Sequence, residues 1–126
     1  MAGFGNTVEN EILDHLLSTG AYTMPTACYI SLHTADPSDT GADECTGGSY
    51  IRQGDTAFAA AASGTTDNDS AISFTLMPAC TVTHVGIWDA ESSGNFLMGG
   101  SLDASKVVNA GDTFTIAAGD LDVSVD

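Results

Sequence analysis

Between Thr81 and Leu102 apolar and polar positions fall into two arms separated by a polar break. Val82, His84, Gly86 and Trp88 alternate with Thr83, Val85, Ile87 and Asp89, the two-residue period that puts successive side chains on opposite faces of a strand. Phe96, Leu97, Met98 and Leu102 follow the break Glu91 to Asn95, whose Gly94 and Asn95 tolerate the positive φ of a tight reversal. The pattern predicts a β-hairpin. Apolar residues on both faces of its arms place it centrally in a sheet, and Gly86, Gly99 and Gly100 predict a bulge or close backbone packing.

Upstream, the period changes from that of a strand to that of a helix. Val8, Ile12 and Leu16 recur at i+4, flanked by Leu13 and Leu17, which predicts one helix over Asn6 to Leu17. Asn6 and Glu9 match an N-cap with a carboxylate at N3, Glu9 and Glu11 suit the positive end of the helix dipole, and Gly20 is the expected stop. So short a helix must dock its stripe on a sheet or a neighbouring subunit, with Phe4 anchoring its entry.

The rest of the chain reads as strands and turns. Cys28 to His33 alternates as a half-buried strand, and Thr34 to Gly48, rich in turn formers and acids, predicts a long surface loop with too little apolar area to pack. A strand begins at Tyr50, Ile51 and Arg52 and leads into an alanine-rich stretch, Ala57 to Ala62, of open conformation. Asp67 to Ser70 is a turn before a strand over Ala71 to Leu76 that points Ile72, Phe74 and Leu76 inward and ends at Pro78. Lys106 to Val108 is short, Thr113 to Ile116 is a strand, and Leu121, Val123 and Val125 alternate with polar residues. Short strands with a turn signal roughly every ten residues predict a mainly β chain, an antiparallel β-sandwich or Greek-key barrel with one N-terminal α-helix. One domain is expected over 1–126, with segment and helix in 1–20 and the β domain in 26–126.

Charge narrows the choice of partner. The 126 residues carry 17 acidic and 2 basic side chains, a net charge of −15, with Arg52 and Lys106 the cations. Phosphate backbones and anionic lipid would repel such a chain, so neither nucleic acid nor membrane is expected as a partner. The start lacks the basic and apolar regions of a signal peptide and no apolar run is long enough to span a bilayer, so synthesis in a cytoplasm is expected. Cys28, Cys45 and Cys80 are odd in number and lack CxxC spacing, so no disulfide framework or zinc knuckle is expected.

The same residues offer little for chemistry. His15, His33 and His84 have no second ligand at helical spacing. Asp36, Asp39, Asp43 and Glu44, or Asp67 with Asp69, are acids near one another without the glycine and distal glutamate of an EF-hand loop. No nucleophile elbow or phosphate loop occurs. No catalytic residue, cofactor or metal site is expected, and the chain reads as non-enzymatic.

Three stretches carry a resemblance: ENEILDH in the helix, AYTMPTACYISLHTADP leading into the acidic loop, and VTHVGIWDAESSGN in the hairpin. With them, nearly the whole chain resembles a family of small tailed-bacteriophage virion proteins, often labelled tail fibre proteins. Cys28, Cys45 and Cys80 depart from that pattern, as does the loop after Glu44, where a proline often follows. The resemblance implies a virion structural protein without catalytic residues. Small size, a β domain and strong acidity favour a capsid decoration or cement protein bound to the major capsid protein; the alternatives are a tail-fibre or tail-tip component and, from a different class, a cation-dependent glycan-binding module. Capsid decorators of this kind imply a homo-oligomer, most simply a trimer. The contact is expected to combine an apolar anchor, the Met1 to Gly5 segment and Phe4, Val8, Ile12 and Leu16, with an acidic rim of Asp36, Asp39, Asp43 and Glu44 that is sensitive to salt.

Overall fold

A computed structural model describes residues 3–54 and 56–125. The hairpin forms the centre of the fold: β6 (Cys80–Trp88) and β7 (Phe96–Val108) pair antiparallel from Cys80↔Val108 to Trp88↔Phe96, with irregularities between Val82 and His84 and between Ile87 and Trp88. The residues expected as a separate short segment, Lys106 to Val108, continue β7. β2 (Tyr29–His33) pairs with β6, β3 (Gln53–Gly54) with β2, and β1 (Gly3–Phe4) with β7, giving a five-stranded antiparallel sheet in the order β1-β7-β6-β2-β3. The strand expected from Tyr50 is thus confined to Gln53 and Gly54. Two ribbons complete the fold, β4 (Thr65–Thr66) with β9 (Val123–Ser124) and β5 (Ile72–Phe74) with β8 (Phe114–Ile116). The mainly β, antiparallel architecture agrees with the sequence, but among the described residues no barrel closes: β1 and β3 are two-residue edges of the sheet, short enough to offer little template for further pairing.

The core follows from strand periodicity. Ile30 and Leu32 on β2 face the same way as their partners Ile87 and Val85 on β6, and they join Ile72, Phe74, Phe114, Ile116, Leu121 and Val123 in one cluster. Phe74 stacks on Tyr50 and meets Phe114 edge-on. The expected alternation fails at two points. Leu76 takes φ 50° and turns out to solvent, so Met77 fills the core instead; at the other end Val125 is exposed beyond Val123. Asn68, read from the sequence as a turn residue, is buried and fastens the C-terminal segment: its amide nitrogen donates to the carbonyls of Ser70 and Ala117, and its oxygen accepts from the Leu121 N–H.

Helix α1 (Asn6–Leu16) forms where the 3.6-residue period predicts it, but neither end is capped as expected. Gly5, not Asn6, is the N-cap, with extended backbone and no side-chain capping bond. The reason is tertiary. Gly5 N–H donates to Leu97 O on β7 at 2.8 Å, and a side chain at Gly5 would overlap the Phe96 carbonyl, so the chain enters the helix pressed against the sheet. At the other end Ser18, with φ 62°, takes the left-handed position that Gly20 was expected to supply.

The second face of the sheet is also covered, which corrects the reading of β2 as half-buried. Ser31 and His33 are fully buried because residues 34–48 fold back over them: Pro37 is buried, Cys45 N–H donates to Leu32 O, and His33 bridges to Glu44. The segment expected to lie in water therefore seals one side of the sheet. Gly86, opposite Ser31, is needed here, since a Cβ would stand 2.6 Å from Ser31 Oγ and 2.8 Å from His33 Nε2.

A candidate interaction surface and the network beneath it

Under the 34–48 segment lies a continuous polar and aromatic network. The Trp88 indole N–H donates to Ser31 Oγ at 2.9 Å, and Ser31 Oγ lies 2.7 Å from His33 Nε2. His33 Nδ1 sits 2.6 Å from the Ala42 carbonyl oxygen. A carbonyl can only accept, so Nδ1 carries a proton, and in the neutral ring Nε2 then accepts from the Ser31 hydroxyl. The arrangement fits a neutral imidazole, and burial pushes the His33 pKa down, against the opposing effects of the Ala42 carbonyl and Glu44. Phe96 packs edge-on against both His33 and Trp88.

Arg52 closes the network from the other side. Its guanidinium lies 3.6 Å from the Trp88 ring centroid and is held by Glu44 through Nε and Nη2 at 3.0 and 2.9 Å. Nη1 donates to the carbonyl oxygens of Ala90 and Ser93 in the hairpin turn. Glu44 also accepts from the Tyr50 hydroxyl, which in turn accepts from Leu32 N–H; burial raises the Tyr50 pKa, with the Glu44 charge adding to it. Arg52 thus ties together the 34–48 segment, β6 and the hairpin turn. The sequence marked it as a rare cation but gave no sign of that position.

The expected contact residues separate into two groups. Phe4, Val8, Ile12 and Leu16 do come together, lining a mostly apolar groove of about 420 Å³ completed by His15, Tyr22, Leu97 and Met98. Val8 is the one helix residue fully buried, and Ile12 and Phe4 are half-buried. The stripe is wider than the groove needs: Leu13, Leu16 and Leu17 are 56%, 71% and 70% exposed, and Met24 is 80% exposed. Of the two surfaces expected to take the stripe, the domain's own sheet or a neighbouring subunit, the sheet buries Val8 but not Leu13 or Leu16, because the short helix meets β7 along its first turns. Met1 and Ala2 of the expected anchor lie outside the described residues.

The acidic residues do not form one rim. Asp36, Asp39 and Asp43 are exposed; Asp36 accepts from Ser38 N–H, and the Asp39 carbonyl accepts from Asn6 N–H, which sets this part of the segment beside the helix start. Glu44 is withdrawn inward by Arg52 and does not belong to the rim. Among the described residues no three His, Cys, Asp or Glu side chains are grouped to hold a metal ion, and no helix is long and apolar enough to cross a membrane. One feature escaped sequence reasoning entirely: Cys45 and Cys80, distant in the chain, have sulfur atoms 3.2 Å apart.

No curated protein matches this chain. Residues 3–124 match the family described as podophage GP4 fiber I protein gp80, and the chain belongs to that family of phage fibre structural proteins.

Proposed function

We propose that the chain is a non-enzymatic structural component of a phage tail fibre, and that it joins another virion protein through the groove and the exposed end of α1. The fibre description of the family supports this reading over the capsid-cement role favoured by size and acidity. The observation that carries the contact is the exposed apolar end of α1: Leu16, which lines the groove, with Leu13 and the C-cap Leu17 exposed on the same helix end. A small domain rarely leaves a helix end this apolar in water without a partner. Glu9, Glu11 and Asp14 share the helix with it, and a net charge of −15 repels like copies. The fitting partner therefore has an apolar centre and basic residues around it. A second copy of this chain, as in the trimer that the resemblance to capsid decorators implies, is the competing occupant.

Labelling the protein on intact particles with an antibody and counting its copies tests the location. Signal at the tail with copies in the tens fits a fibre, whereas hundreds of copies over the head refute it. Leu13→Asp with Leu16→Asp tests the contact. Both side chains are exposed, so the double variant should melt like the wild type yet fail to enter particles. Normal incorporation would place the contact elsewhere, and trimers in sedimentation that the variant abolishes would make the occupant a second copy.

A further inference from the structure

We infer that Cys45 and Cys80 form a disulfide when the protein meets a low-molecular-weight disulfide oxidant, stapling the 34–48 segment to the end of the central hairpin. Both backbones are already in place. Cys45 N–H donates to Leu32 O at 2.8 Å, and Cys80 opens β6 opposite Val108. The two sulfur atoms are 3.2 Å apart, so roughly 1 Å of side-chain movement brings them to bonding distance. The third thiol is remote by register. β2 runs antiparallel to β6 with Tyr29 opposite Trp88, so Cys28 lies beyond one end of β6 and Cys80 at the other, roughly 30 Å along the strand.

The two thiols differ in a way that orders the reaction. Cys45 is buried and Cys80 is partly exposed; burial, helped by the hydrogen bond to Cys80, pushes the Cys45 thiol up to about 12. The Cys80 thiolate attacks one sulfur of the small disulfide and expels one thiolate, which takes up the proton, leaving a mixed disulfide on Cys80. Cys45 then loses its proton to solvent and attacks Cys80 Sγ, breaking the mixed bond and releasing the second small thiol. Two protein thiols and one small disulfide become one protein disulfide and two small thiols, with two electrons passing to the reagent. A reducing cytoplasm keeps the pair open during synthesis and oxidising surroundings close it. The timing, closure after release from the host, rests on the virion reading; the chemistry does not.

The test uses the purified chain and oxidised glutathione. Arg52 and Lys106 are the two tryptic sites, and they place Cys28 and Cys45 in the peptide 1–52 and Cys80 in 53–106. After oxidation and alkylation at low pH, the two peptides should be joined in the wild type and in Cys28→Ser, but not in Cys45→Ser or Cys80→Ser. Intact mass should fall by two hydrogens, with no glutathione retained. The cysteines are separated by 35 residues, so closure should raise Tm by roughly 10 °C, and dithiothreitol should reverse the change. A lasting glutathione adduct, a link through Cys28, or a link with no rise in Tm would each overturn the inference. None of these results bears on where the protein sits in the particle, so the two readings fail separately.

Discussion

Replacing Arg52 by Met should be among the costliest changes outside the apolar core. The Arg52 side chain is 9% exposed and its partner Glu44 21%. Methionine keeps the apolar stem against Trp88 but removes both bonds to Glu44, both bonds to the turn carbonyls of Ala90 and Ser93, and the stacked charge. Removing one member of a buried pair costs about 3 to 5 kcal/mol, mostly because the other charge is left without compensation. Glu44 keeps the Tyr50 hydroxyl and some access to water, which favours the low end. Against that, two turn carbonyls lose a charged donor, and contact with the indole face is worth about 1 kcal/mol. A loss of about 3 to 4 kcal/mol is expected, a large part of the ~5 to 15 kcal/mol that holds a domain together. The assay is urea unfolding followed by the fluorescence of Trp88, the one tryptophan, which sits at the site. Glu44→Gln alone should cost less, and the double variant should cost less than the two single losses combined, by about 1.5 kcal/mol or more. A loss below about 1 kcal/mol for Arg52→Met, with an unchanged denaturant slope, would refute the view that this cation locks the segment to the hairpin.

Two further changes test the neighbouring claims. On α1, Val8→Ala should destabilise by about 2 kcal/mol, because two buried methyl groups are lost and a cavity is left, whereas Leu13→Ala should stay within about 0.5 kcal/mol because that side chain is exposed; equal losses in thermal melts would contradict the shallow docking of the helix. His33 supplies a pH dependence. Burial lowers its folded pKa, so below about 6.5 the unfolded chain binds the proton first, and stability that is complete above that value is lost as pH falls, by up to about 1.4 kcal/mol per unit. Glu44, Arg52 and His84 also act on this ring, so the comparison is urea unfolding of wild type and His33→Asn between pH 7.5 and 5.5; a variant with the same slope as the wild type would assign the effect to another group.

Sequence periodicity alone determined the elements with the most regular patterns. The alternation from Val82 to Trp88 specified the central hairpin, since a two-residue period leaves one strand geometry that keeps both faces apolar, and the i+4 recurrence of Val8, Ile12 and Leu16 specified the helix. The resemblance carried by ENEILDH, AYTMPTACYISLHTADP and VTHVGIWDAESSGN led to the family. Local pattern could not say what covers each face. Leu13 and Leu16 belong to the same apolar stripe as Val8, yet only the first turns of α1 reach β7, and the count of apolar residues on a helix does not reveal how much of it meets a sheet. Residues 34–48 looked too polar to pack because their anchoring depends on few atoms: the buried Pro37, the Ala42 carbonyl on His33, Glu44 on Arg52 and the Cys45 N–H on Leu32. The same holds for Arg52 on Trp88 and for the Cys45 and Cys80 sulfurs. These contacts join residues far apart in the chain, and no period within the sequence encodes them; they exist because the register of β2 on β6, set by burial of Ile30, Leu32, Val85 and Ile87, brings those positions together.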